Sequence, residues 1–186
     1  YLVYKALDEQ VIANELLSSQ MKFDKVEAEL KEMYYYLDNS ITNFKFSTLP
    51  VGKLTNKIDL KTDVCSGTVA FHRLMDQIFC REFHGSEQEL LSFPEVSEFY
   101  SILITMEQLL YTIVGIETNS EEKNRINYQV YKRLTQQLFE YKLISYIREY
   151  NEIELERVEC KECNCKHGLP ELIKSSIIRI RCALDT

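Results

Sequence analysis

The residues with the most chemical potential crowd into one short stretch, Cys160-Lys-Glu-Cys163-Asn-Cys165-Lys-His167. Zinc takes four nitrogen or sulfur ligands in a tetrahedron, and Cys160, Cys163, Cys165 and His167 supply that number. The spacing is tight, however, and structural zinc sites usually draw two ligand pairs from separated segments. The competing chemistry is disulfide formation. The chain has six cysteines, an even number, and the other three (Cys65, Cys80 and Cys182) are spread along it. Three bridges from the 160–167 cluster to those distant points suit the count, with connectivity left open. Reduced cysteines in a cytosolic protein are the third possibility.

The disulfide reading has a physical attraction. A bridge at Cys65 would pin a long irregular segment and restrict the unfolded chain, typically stabilising by about 2–4 kcal/mol. Disulfides persist in oxidising compartments, so this reading carries secretion with it. The chain has no Asn-x-Ser/Thr sequon, so glycosylation adds no support.

His72, Asp76, Cys80 and His84 follow one another at intervals of four. On a helix they drift slowly around one side, so Cys80 with His84 is a possible metal or Cys–His pair. The plainer reading is a polar stripe on the exposed face of a helix. A catalytic site would normally recruit loops and a third orienting group. No Gly-x-x-x-x-Gly-Lys-Ser/Thr, Gly-x-Gly-x-x-Gly, Gly-x-Ser-x-Gly or His-Glu-x-x-His pattern occurs. No cofactor is expected, and the reading is non-enzymatic.

Twelve tyrosines form a third feature, with Tyr34, Tyr35 and Tyr36 consecutive. Three in a row must point around a helix, so at least one is exposed. Tyrosine suits protein interfaces because it joins a large apolar body to one polar tip. Tyr34, Tyr35 and Tyr36, with Glu87 and Glu89, are therefore candidate partner-binding residues. The plain alternative for the tyrosines is the edge of a core.

These residues need elements to position them. Scarce glycine (5) and proline (3) favour long helices over turn-rich sheets. Periodicity predicts an all-α single domain over 1–186, a disulfide-stapled bundle of five to six helices. A first helix is expected over Leu2–Ser18, with Val3, Leu7, Val11 or Ile12, and Leu16 facing inward. A second starts at Asp24, with Glu27 completing a capping box. A long irregular segment, 39–66, separates helices two and three, and segments of that length are often anchored or functional. Residues 54–60 within it read as a short strand or strap.

Helix three is expected over Thr68–Phe83, followed by a single turn at 86–91. Pro94 starts the central helix and Gly115 closes it. A fifth helix runs from Asn119 or Ser120 as far as Glu159, about 60 Å, with a bend near Asn151. A terminal helix spans 170–184. From Glu82 to Glu122 there are acids and no Lys or Arg, whereas Lys123–Arg148 has one acid. Antiparallel packing would set those opposite charges together; the alternative is an acidic face for a basic partner.

Exclusions follow from composition. A net charge of −7 argues against general binding to nucleic acid or anionic lipid. The most apolar run, Val96–Val114, contains Glu98 and Glu107, so no membrane insertion is expected. Tyr1-Leu2-Val3-Tyr4-Lys5 lacks the pattern of a signal peptide.

The function expected is that of an extracellular, secreted protein that acts by binding another protein. Its architecture has the general character of helical cytokine-like ligands and of invertebrate salivary or haemolymph effectors, by analogy of composition alone. The alternatives are a carrier of a small apolar ligand, held between helices three and four, and an intracellular zinc-stabilised helical adaptor.

Overall fold

The computed structural model of the chain describes residues 2–48, 64–79, 86–118, 126–159, 161, 164 and 166–185. It is an all-α bundle whose described helices are α1 (Leu2–Asn43), α2 (Thr68–Phe79), α3 (Glu87–Ser92), α4 (Pro94–Thr118), α5 (Tyr128–Gln137) and α6 (Glu171–Asp185). Two small antiparallel ladders accompany them. Strand β1 (Lys45–Phe46) pairs with β2 (Cys65–Ser66), and β3 (Val158–Glu159) pairs with β4 (Lys166–His167).

The two helices expected at the start are one helix of 42 residues. Nothing between Ser18 and Asp24 breaks it, because that stretch has neither glycine nor proline. Asp24 is not a cap; its carboxylate accepts from Gln20 Nε2 at 2.8 Å, one turn back. The inward-facing assignment is also corrected. Leu7, Val11, Ile12 and Leu16 are exposed, the Val3 side chain lies outside those described, and among the described side chains burial on α1 begins at Phe23.

The irregular segment is shorter than 39–66 at both ends. Helix α1 runs to Asn43, Phe44 and Phe46 are buried, and Lys45 lies opposite Ser66. The ladder is closed by Gly67, whose N–H donates to the Phe44 carbonyl at 2.9 Å. Gly67 has φ +61°, and a Cβ there would sit 3.4 Å from the Thr42 carbonyl oxygen, so glycine suits this crossing. Residues 54–60, read as a strap, lie outside the described residues.

Helix α4 is the hub, packing against α1, α3, α5 and α6. Nine of its residues are buried, from Val96 to Ile116, and Gly115 lies inside the helix rather than closing it. Among the described residues it is the one helix long and apolar enough to cross a membrane, and the core uses much of that apolar surface. Phe71 of α2 stacks on Phe44 with ring centroids 4.0 Å apart and leans on Phe99 of α4 at 5.7 Å.

The long fifth helix does not exist. After α5 the chain takes a π-helical turn over Leu138–Leu143, then a 3-10 turn over Ser145–Ile147. The reason is in the sequence: Leu138 and Phe139 recur as Leu143 and Ile144, five residues on. A π turn aligns residues i and i+5, and all four side chains are buried. Asn151 then caps the next turn, its side-chain oxygen accepting from the N–H groups of Ile153 and Glu154 at 2.9 and 3.0 Å.

No disulfide is present among the described residues, so the stapling expected from the sequence is not supported there. Cys80, Cys160, Cys163 and Cys165 lie outside the described residues. What anchors the ends of the irregular segment is the β1–β2 ladder, together with a 2.9 Å hydrogen bond from Gln77 to Thr48.

Candidate functional site

The His72 constellation is divided between described and undescribed positions; Cys80 and His84 fall outside. His72 is exposed, and its ring meets the Tyr146 ring edge-on at 4.8 Å. The Tyr146 hydroxyl donates to Asp76 at 3.0 Å, and Phe79 and Tyr150 complete the aromatic cluster. This arrangement fastens α2 to the 3-10 turn. Among the described residues, no group of three His, Cys, Asp or Glu is placed to hold a metal ion. His167 is buried in β4 opposite Val158, and the other three members of the zinc set are outside the described residues. Cys65 takes a 3.2 Å contact from Arg73 Nη1, and Cys182 is exposed on α6.

Glu87 and Glu89 have internal tasks. Ser86 and Glu89 form a capping box at the start of α3: the Ser86 N–H donates to the Glu89 carboxylate at 2.7 Å, and the Glu89 N–H to Ser86 Oγ at 3.2 Å. Glu87 pairs with Arg157 at 2.7 Å and accepts from the Glu171 N–H at 2.6 Å, capping α6 from another helix. Arg157 also donates to the Lys166 carbonyl, so one guanidinium ties α3 to the β3–β4 ladder. Gly168 permits this approach: with φ +121°, a Cβ there would meet Arg157 Cα at 3.3 Å.

The acidic run does find basic partners, but mostly not on α5. Glu107 is gripped by Arg179 of α6 with bonds of 3.0 and 2.9 Å, and Glu87 by Arg157. Only the Glu117–Lys132 pair, at 4.0 Å, joins α4 to α5 among the described residues. Sequence reasoning also missed Arg181. Its guanidinium donates to the carbonyls of Ile147, Tyr150 and Arg148, at 2.9, 2.6 and 3.2 Å, covering the end of the 3-10 turn. Burial holds its pKa below the ordinary arginine value.

The tyrosine triplet separates by role. Tyr34 is half-buried, edge-on to Tyr131 of α5 at 6.5 Å. Burial, then the nearby Asp38 carboxylate, raises its pKa. Tyr35 and Tyr36 are each 59% exposed and line a shallow depression with Asp38, Asn39 and Thr42. Lys31 Nζ lies 5.9 Å from the Tyr35 ring centroid, and Lys142 holds Asp38 at 2.8 Å. Two aromatic bodies thus stand beside a carboxylate, an amide and a hydroxyl, on a helix fixed to the core behind them.

The first half of α1 is a second exposed feature. Tyr4, Leu7, Val11, Ile12, Leu16, Leu17 and Met21 are between 54% and 75% exposed. Residues 2–22 reach about 30 Å past the point where burial begins. Ile12 and Leu16 continue the line of Phe23, Leu30 and Leu37; Tyr4, Leu7, Val11 and Met21 lie on another side. A groove of about 190 Å³ between α4 and α6 is lined by Leu110, Tyr111, Val114 and Ile180, with the Glu107–Arg179 pair on its wall.

The chain matches no protein-family model, no curated protein and no solved structure.

Proposed function

We propose that this chain is a secreted, non-enzymatic helical protein that acts by binding another protein, with Tyr35 and Tyr36 at the centre of the contact. The observation that carries this reading is the pair of large, exposed aromatic side chains on a helix whose opposite side is locked into the core. Interfaces draw most of their binding energy from such anchors, with hydrogen-bonding groups at the rim. Asp38, Asn39 and Thr42 supply that rim. Tyr34, by packing on Tyr131, holds the anchors in place before any partner arrives.

Binding of the labelled chain to intact cells of its source tests the reading. The Y35S/Y36S double variant should bind roughly 10–100-fold more weakly while keeping its helical content. Undiminished binding by that variant would exclude this surface.

The extracellular setting rests on the cysteines: six in 186 residues, three of them within 160–165. In protein isolated from its natural source, no free thiols should appear until reductant is added. Six free thiols would reject secretion, and stoichiometric zinc would favour the intracellular adaptor instead. The carrier reading draws little from the α4–α6 groove, whose volume falls below the roughly 300–1,000 Å³ of ligand sites.

A further inference from the structure

We infer that two copies of this chain associate through the first halves of their α1 helices, as a parallel, in-register pair. This goes beyond the tyrosine surface and does not rest on it. Tyr4, Leu7, Val11, Asn14, Ser18 and Met21 follow one another at alternating spacings of three and four. That is the seam spacing of a two-stranded coiled coil. All six residues are exposed. They lie about 130° around the helix from Phe23, Leu30 and Leu37, the side held by the bundle. A second helix on this seam therefore does not compete with the bundle for the same face.

The order of residues along the seam selects both occupant and direction. In a parallel pair each layer meets its own copy: tyrosine, leucine and valine, then asparagine and serine, then methionine. Apolar layers meet apolar layers, and Asn14, at a d position, meets its own copy rather than an apolar side chain. The flanking positions then set Gln10 beside Glu15 and Leu17 beside Lys22, with no like charges opposed. Fully overlapped antiparallel arms would bury Asn14 against Val11 and Ser18 against Leu7, leaving polar groups facing apolar ones. They would also oppose Asp8 and Glu15, both acids. Sliding by one heptad brings Asn14 to Ser18 but sets Leu7 against Lys25.

The seam also has an end. Its next positions are Lys25, Ala28 and Glu32, and in a parallel pair Lys25 and Glu32 would each face their own charge. Pairing stops there, short of Tyr35 and Tyr36. Tyr4, Leu7, Val11, Met21 and the flanking Leu17 offer roughly 100 Å² each, so the pair buries on the order of 1,000 Å² in all. That is the lower bound for a specific interface, and association in the tens of micromolar is expected.

Sedimentation equilibrium of the full chain from roughly 1 to 200 µM tests this. The mass should rise from 22.0 kDa towards twice that value. The L7D/V11D variant should remain monomeric with the bundle intact, read from an unchanged urea midpoint, because both positions are solvent-exposed in the single chain. The I12K/L16K variant, altered off the seam, should associate like the parent. Asn14→Leu should tighten association about tenfold or more. In the Met21→Cys variant, mild oxidation should join the two copies by a disulfide between their introduced thiols, recovered as one cross-linked peptide. Both antiparallel arrangements hold these positions at least about 15 Å apart, too far for that bond. A monomer throughout the range, a dimer indifferent to L7D/V11D, or absence of the cross-linked peptide would each overturn the proposal.

Discussion

Glu87 uses both carboxylate oxygens inside the chain, one on Arg157 and one on the Glu171 N–H. The Arg157 side chain is 13% exposed, and its Nε has no hydrogen-bond partner among the described residues. Removing the carboxylate leaves a poorly solvated cation and uncaps α6. Because Glu87 itself is about one-third exposed, the cost of Glu87→Ala is nearer 2 kcal/mol than the 3–5 of a fully buried pair, read from the urea midpoint. Tyr34 and Tyr131 set a second residue-scale expectation. Burial is the main cause raising both pKa values above 10.0. The folded state then holds these protons more tightly than the unfolded chain. That contribution is fully present below pH 10, and the unfolding free energy falls as pH rises above it. Phenolate absorbance should show Tyr34 and Tyr131 ionising after the exposed tyrosines, a late phase that the Y34F/Y131F variant diminishes.

Among the elements, the run from Leu138 to Tyr150 departs furthest from a regular helix, and Arg181 holds it. The guanidinium reaches the carbonyls of Arg148 and Tyr150 at the end of this run, and adds a second bond to the Ile147 carbonyl, which already accepts from the Tyr150 N–H at 3.0 Å. Arg181→Met keeps most of the apolar stem and removes the donors. About 2 kcal/mol should be lost, with amide exchange accelerating over residues 144–151 before it does in α4. A uniform acceleration across the chain would instead mean that Arg181 supports the whole bundle.

At the scale of the whole molecule, α1 has two different supports. Its second half is covered by α4 and α5, with Leu30, Leu37 and Ile41 fully buried. Its first half has no buried side chain among those described before Phe23; it has its own backbone bonds, good helix formers such as Ala6, Ala13 and Leu17, and surface contacts such as the Lys5–Glu9 pair at 3.9 Å, both side chains exposed. Such exposed pairs contribute well under about 1 kcal/mol. In dilute solution, amides of residues 6–18 should exchange by local fraying and those of 30–41 only by global unfolding. Equal protection along the whole of α1 in the dilute chain would refute this division.

Local chemistry in the sequence was enough to place several elements: Pro94 at the start of α4, a turn at 86–91 where α3 lies, and the isoleucine stripe of α6. The same holds for the separation of the tyrosine triplet into exposed and covered members, since three consecutive positions must diverge around a helix. The fusion of the first two helices was not legible, because Asp24 and Glu27 present a valid capping pattern and only the continuing backbone decides against it. The five-residue recurrence at Leu138–Ile144 was written in the chain, but π turns are rare enough that a long regular helix is the simpler reading of it. Long-range pairings lay beyond the sequence altogether. Glu87 with Arg157, Glu107 with Arg179 and Arg181 with the 3-10 carbonyls join segments 31 to 72 residues apart. Periodicity states which face of a helix is apolar; which other helix covers it, or whether any does, is fixed only when the chain has packed.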